Sequence, residues 1–242
     1  MGVSESVQRA LGSAVEKGLE VQQPTVETYI RRARQRQPNA TPAEVVASLE
    51  KQYLASVVTL GGGAGAVAAA PGVGTAAAVL VNLAEVGGFI EASALFCLAV
   101  AEVHGVKVED LERRRTLLLA VLMGDGGSKI VQKIAGRTGP HWGKAITQNI
   151  PMSTINAINK VLGPRFVTRY GTRQGVLVLG RHFPFGLGAA IGAGGNAALG
   201  KSTIAGARRA FGPAPAAWAT DPEPMDESQV LEAAHSSVEE RP

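Results

Sequence analysis

The chain has 242 residues, a formal net charge of +4, 45% hydrophobic residues, 5% aromatics, 30 glycines and one cysteine. That length and apolar content allow one large domain or two small ones with a sizeable core. A single cysteine excludes an internal disulfide and fits a reducing compartment; Cys97, inside an apolar run, reads as a small buried hydrophobe.

The first residues lack a basic stretch followed by a continuous apolar run, so no signal peptide is expected. Ser6 fits a myristoylation pattern after Gly2, but the match is too cheap to count. Val3, Val7, Ala10, Leu11, Ala14, Val15 and Leu19 predict an amphipathic helix over residues 3–20. A second helix is expected over 25–37, ending in Arg31, Arg32, Arg34 and Arg36. Thr41, Pro42 and Glu44 have the order of a capping box with proline at the first helical position. Beyond Lys51 no residue is charged until Glu85, a span of 33 residues. Pro71 and Gly72 divide this tract into helices expected over 52–70 and from 75 to about 103, forming an apolar hairpin closed by His104 and Gly105. Glu85, Glu91 and Glu102 on the second helix are expected to pair with bases such as Arg113, Arg114 and Arg115. A helix over 108–123 should end at the run Gly124, Asp125, Gly126 and Gly127. Short basic helices follow over 128–135, 142–148, 153–162 and 165–179; a last apolar helix runs from Pro184 to about Phe211. The predicted organisation is therefore all-α: an amphipathic helical segment at 1–50, a multi-helix bundle with Gly/Ala-rich central helices at 51–212, and a disordered acidic tail at 213–242.

The modest net charge hides an asymmetry. Residues from Gly212 onward hold seven acids and one base, leaving the body with 13 acids and 23 bases. From Gly126 to Thr220 there are twelve bases and no carboxylate. Such a stretch must face solvent, pair with acids of the first half, or meet an anionic partner. The bases are dispersed, without interleaved aromatics or a reader motif, which argues against nucleic acid; Arg31 to Arg36 would be the best candidate patch.

Glycine spacing is the strongest signal. Gly188, Gly192, Asn196 and Gly200 recur every four residues, and Gly61 and Gly65 repeat the spacing. On a helix these positions form a stripe of little side-chain volume against which another backbone can lie. Each helical glycine costs about 1 kcal/mol against alanine, so close helix packing is expected as compensation. Residues 183–200 and 52–84 are long enough to reach across a bilayer but only modestly hydrophobic. Insertion, surface association and a soluble core all remain open on these grounds. Arg181, Lys201, Arg208 and Arg209 are the expected contacts to anionic headgroups or a partner.

Motifs for chemistry are weak. Residues 195–202 spell a Walker A string ending in Lys201 and Ser202, the basis for an alternative reading as a soluble hydrolase or nucleotide-binding enzyme. It follows Gly/Ala-rich helix rather than a strand, and no acid lies nearby for magnesium. Gly61, Gly63 and Ala66 resemble part of a dinucleotide fingerprint after a short strand-like run at 57–60, but no strand–helix series follows. Asp125, Ser128 and His141 have the residue types of a triad without supporting spacing. Four scattered histidines give no metal-binding spacing, and no cofactor or catalytic residue is assigned. His104 and His182 are read as caps at helix ends or turns.

The combined pattern resembles the EcsC family. It is carried by residues 61–74, the run Ala101, Glu102, Val103, His104 and Gly105, the helix around Lys160, and residues 181–192 followed by Gly195 and Asn196. The resemblance covers about residues 50–212; His104 stands where an aromatic such as tyrosine is expected. It implies a helical fold and membrane association, and it supplies no catalytic residues. The expectation is a non-enzymatic cytoplasmic protein at the cytoplasmic membrane that engages anionic lipid or a membrane protein. A further reading has the acidic tail folding back on the basic body.

Overall fold

The structure is a computed structural model that describes residues 5–21, 23–68, 75–136, 139, 141–181 and 187–218. These form nine helices and no strand: α1 (Glu5–Leu19), α2 (Gln23–Arg36), α3 (Pro42–Ala68), α4 (Thr75–Val103), α5 (Leu111–Met123), α6 (Asp125–Ala135), α7 (Trp142–Gln148), α8 (Met152–Arg181) and α9 (Leu187–Phe211). The all-α bundle is as expected. Pro184, His182 and the 71–72 break lie outside the described residues. The expected boundary at residue 50 falls inside α3, and α1 and α2 both pack on α4.

Local chemistry sets several helix ends. Thr41 and Glu44 form the reciprocal box: Glu44 N–H donates to Thr41 Oγ1 at 3.3 Å, and Thr41 N–H to Glu44 Oε2 at 2.8 Å. Asp110 caps α5 by accepting from Arg113 N–H at 2.9 Å. Where α4 ends, a ring nitrogen of His104, Nδ1, lies 2.7 Å from Val100 O, and Gly105 follows with φ +72°.

Two expected breaks are absent. The glycine run after Met123 does not form a loop: Gly124 alone, at φ +60°, turns the chain, and Asp125, Gly126 and Gly127 are already the first turn of α6. Gly127 is needed for packing, since a Cβ there would lie 2.2 Å from Ala120 O of α5. Likewise, the helices expected over 153–162 and 165–179 are one helix, α8, with Pro164 inside it. Interior proline costs about 3 kcal/mol, but the buried face Ile155, Ile158, Leu162 and Phe166 continues across it at spacings of three and four. That shared apolar stripe holds the helix together through Pro164.

The centre of the bundle is α4, buried from Phe96 to Ala101 and at Phe89 and Ile90. It receives Leu11, Val15 and Leu19 from α1 and Val26, Ile30 and Ala33 from α2. Tyr53 of α3 pins three helices. Its ring stacks on Phe96 at 4.6 Å, and its hydroxyl shares a 2.8 Å hydrogen bond with Ser93. Burial pushes the Tyr53 phenol far above its ordinary range, against the opposing pull of its hydrogen bonds to Ser93 and Thr203.

The arginine triplet does not pair with the α4 carboxylates as expected. Arg114 is buried and donates to Val108 O at 2.5 Å, Val21 O at 2.6 Å and Leu19 O at 3.3 Å. Arg113 donates to Ile146 O and, at 2.9 Å, to Ile150 O at the end of α7. Of the three, Arg115 alone makes ion pairs among the described residues, with Glu16 and Glu112. Two arginines thus act as forks that satisfy carbonyls left open at helix ends. Glu91 pairs with Lys17; Glu102 accepts from Gln23 at 2.8 Å and lies 4.0 Å from Lys107.

Candidate functional site: a cationic face at the start of α6

The small-residue stripes of α3 and α9 meet each other. The two helices run antiparallel in a fixed register. A Cβ on Gly61 would lie 2.4 Å from Gly192 O; Asn196 Nδ2 donates to Val57 O at 2.9 Å; a Cβ on Gly200 would meet Val57 and Leu54 at 2.9 and 3.0 Å. One end of the same seam carries the Arg208–Glu50 fork, with Nε to Oε1 at 2.7 Å. Gly65 is buried on α3. Gly188 falls in the first turn of α9, and its surroundings lie outside the described residues, as does the side chain of Arg181. The seam is structural: Asn196 is fully buried and bonds across it through Nδ2, while its Oδ1 has no hydrogen-bond partner among the described residues.

This register also decides the motif strings. Residues 195–202 lie in the interior of α9, so their amides are committed to carbonyls four residues earlier and form no phosphate cradle. The dinucleotide-like run, with its strand-like residues 57–60, is likewise helical, inside α3.

Arg208 and Arg209, neighbours in sequence, have different fates. Arg208 is tied to Glu50, which holds its guanidinium even more firmly protonated than usual. Arg209 reaches the joint between α5 and α6. A Cβ on Gly124 would lie 3.9 Å from Arg209 Nη1 and 3.5 Å from Ser202 Oγ; one on Gly126 would lie 3.0 Å from Arg169 Nη1. Arg169 comes from α8, one turn beyond Arg165. Lys129 and Lys133 continue the surface one turn apart on α6. Arg165, Arg169, Lys129, Lys133 and Arg209 are all exposed.

No side chain caps the first turn of α6 among the described residues. Its open amides add partial positive charge to the cluster. Asp125 is the acid there. It pairs with Lys129 at 2.8 Å, and Lys129, then Arg209 and Arg169, hold its carboxyl below the usual range. Lys129, Arg169 and Arg209 against Asp125 leave this group net cationic. Lys133, Lys144, Lys160, Arg165, Arg169, Lys201 and Arg209 have no ion-pair partner among the described residues. Comparison with protein-family models, curated proteins and solved structures finds no match to this chain.

Beside this cluster is an open cleft of about 380 Å³ lined by Asp125, Ser128, Lys129, Gln132, His141, Trp142, Arg208 and Arg209. It brings together the three residue types of a triad without wiring them. Ser128 is buried; its hydroxyl donates to Gly124 O at 3.2 Å and accepts from Trp142 Nε1 at 3.1 Å. His141 lies against the backbone of Arg209, its Nδ1 3.5 Å from that carbonyl oxygen. Asp125 is taken by Lys129. A nucleophile needs a base within hydrogen-bond reach, and Ser128 has none here. No cluster of three metal-ligating side chains occurs among the described residues.

The sequence expectation grouped Arg209 with Arg208; both are exposed, but Arg208 pairs with Glu50, whereas Arg209 has no ion-pair partner among the described residues. That expectation missed Arg169 and the role of the Gly124 joint. The available signal was the four-residue repeat of Arg165, Arg169 and Arg173, hidden by the expected break at Pro164.

Proposed function

We propose that this chain is a non-enzymatic helical protein that binds an anionic surface, foremost the lipid headgroups of the cytoplasmic membrane, through the cationic face of α6, α8 and α9. The observation that carries the reading is the gathering of Arg169, Arg209 and Lys129 at the uncapped start of α6, in a stretch without acids beyond Asp125. Phosphate-bearing headgroups suit such a surface because guanidinium groups and helix-start amides both donate to phosphate oxygens. Surface contact fits better than insertion. One described stretch is long and apolar enough to cross a membrane, Ala84–Val103 in α4, and 61% of it is buried against other helices. Among the described residues, Gly61, Gly192, Asn196 and Gly200 of the glycine stripes lie in the contact between α3 and α9.

The EcsC resemblance belongs to the same proposal. It rests on the sequence pattern alone; in the structure residues 187–200 of that pattern lie on α9 and Asn196 donates across to Val57 O.

Sedimentation with phosphatidylglycerol vesicles tests the reading. Each base near an anionic surface contributes about 1 kcal/mol. Arg169→Gln with Arg209→Gln should therefore weaken binding by roughly 30-fold. Neutral phosphatidylcholine vesicles should leave the protein in the supernatant. Binding unchanged in the double variant, or no binding by the parent chain at low salt, would overturn the proposal.

A further inference from the structure

A second cationic surface lies on α2, and the chain itself supplies an acidic segment beside it. Arg31, Arg32, Arg34 and Arg36 are all exposed: Arg31 and Arg32 lie opposite the buried edge of Val26, Ile30 and Ala33, and Arg34 and Arg36 flank it on either side. None of the four has a carboxylate partner among the described residues: Arg31 donates to Thr28, and Arg36 to Gln52. The acid of that helix, Glu27, faces Lys107 instead.

The path of the chain after α9 leads to this surface. Gly212 turns at φ +77°, and residues 213–218 run to the junction of α2 and α3. There the Trp218 indole donates to Ala40 O at 3.0 Å, and the Arg34 guanidinium lies 4.3 Å over its ring. This stretch was expected to be disordered; the indole hydrogen bond and the stacked cation hold its end instead. Residues 219–242 lie outside the described residues. They contain seven acids and one base, with Asp221, Glu223, Asp226 and Glu227 soonest after the anchor.

We propose that the acidic segment 219–242 lies along α2 and neutralises its arginine stripe. Reach is sufficient. The nine residues from Trp218 to Glu227 span up to about 30 Å when extended, whereas the 14 residues of α2 rise only about 21 Å. Trp218 makes the contact intramolecular, at an effective concentration in the millimolar range. A second copy of the chain, the other cationic face or a membrane are the competing occupants.

Zero-length carbodiimide cross-linking of the full chain separates them. Arg31→Lys and Arg32→Lys, both exposed and charge-preserving, supply amines that can join to carboxylates; Arg36→Lys is an independent second variant. Mass spectrometry should find amide links from these lysines to Glu223, Asp226 or Glu227. The links should fall severalfold between about 0.1 M and 1 M salt, where the screening length drops from about 10 Å to 3 Å. Asp226→Asn with Glu227→Gln should reduce them while leaving the helical circular dichroism unchanged. Links from the tail only to Lys129, Lys133 or Lys160 would overturn the proposal, as would no tail links at all. Links found only between isotopically light and heavy molecules would assign α2 to a second copy and also overturn it.

Discussion

Gly61→Ala and Gly63→Ala are the same chemical change two residues apart on one helix, and they should move stability in opposite directions. At Gly63 an added Cβ meets nothing within 4 Å, so only propensity acts and the variant should gain about 0.5–1 kcal/mol. At Gly61 the same methyl sits 2.4 Å from Gly192 O and 2.7 Å from Asn196 Nδ2. Ordinary non-bonded separations begin near 3.5 Å, so the seam must open by about 1 Å. Overpacking of this kind costs about 1–3 kcal/mol. The opening also stretches the buried Asn196–Val57 hydrogen bond, worth about 1–3 kcal/mol when its partners are stranded. Subtracting about 1 kcal/mol of propensity gain leaves a net loss of roughly 1–5 kcal/mol. At about 2–4 °C per kcal/mol for a chain of this size, Tm should fall by roughly 2–20 °C. Thermal and urea unfolding followed by far-ultraviolet circular dichroism reads both variants. Equal stabilisation by the two alanines would refute the close backbone approach of α3 and α9.

Arg114→Met removes a buried fork from three carbonyls and should cost about 2–4 kcal/mol in urea unfolding; Arg114→Lys, with no fork, should rescue only part of it. Thr41→Ala should cost about 1 kcal/mol by removing the N-cap of α3. Glu44 and Asp125 both have depressed carboxyl pKa values, Glu44 through hydrogen bonds to Thr41 and Asp125 through Lys129. Their stabilisation is therefore complete above the ordinary values of 4.5 and 3.8 and is lost as pH falls through the lower folded values. Unfolding midpoints of Glu44→Gln and Asp125→Asn should lie below that of the parent at neutral pH and converge on it in strong acid; a constant gap would contradict the assignment. Cys97 is buried, and burial pushes its thiol far above the ordinary range, so a thiol reagent should react at neutral pH only as the protein unfolds.

Helices were legible because their signals are local. The capping box at Thr41 and Glu44 needs only four residues, and the period of Leu11, Val15 and Leu19 needs three turns. Pro164 misled because proline is also a local signal, whereas the face of Ile155, Ile158, Leu162 and Phe166 that overrides it acquires meaning only against α5 and α6. Gly124 misled for a similar reason. A run of glycines looks like a loop until the close approach of Ala120 O shows why residue 127, inside α6, must be glycine. The cationic site was least legible. Its arginines come from α8 and α9 and its amides from α6, so no window of sequence contains it.

The packing also determines which experiments discriminate. A bundle with small-residue stripes free would offer them to lipid or to other helices, and its association would follow apolar area. Here Gly61 lies on Gly192, Gly200 on Val57 and Leu54, and a Cβ on Gly206 would be 2.3 Å from Val121 O of α5, so α9 spends its narrow faces inside the molecule. Among the described residues of the acid-free second half, Lys133, Arg165, Arg169 and Arg209 are guanidinium and ammonium groups left outward and without an ion-pair partner. Any association built on them must weaken steeply with salt. Association that survives high salt by opening the α3–α9 seam should be strengthened by Gly61→Ala, which loosens that seam without altering a charge. Salt sensitivity together with indifference to Gly61→Ala is the signature of binding through the cationic surface alone.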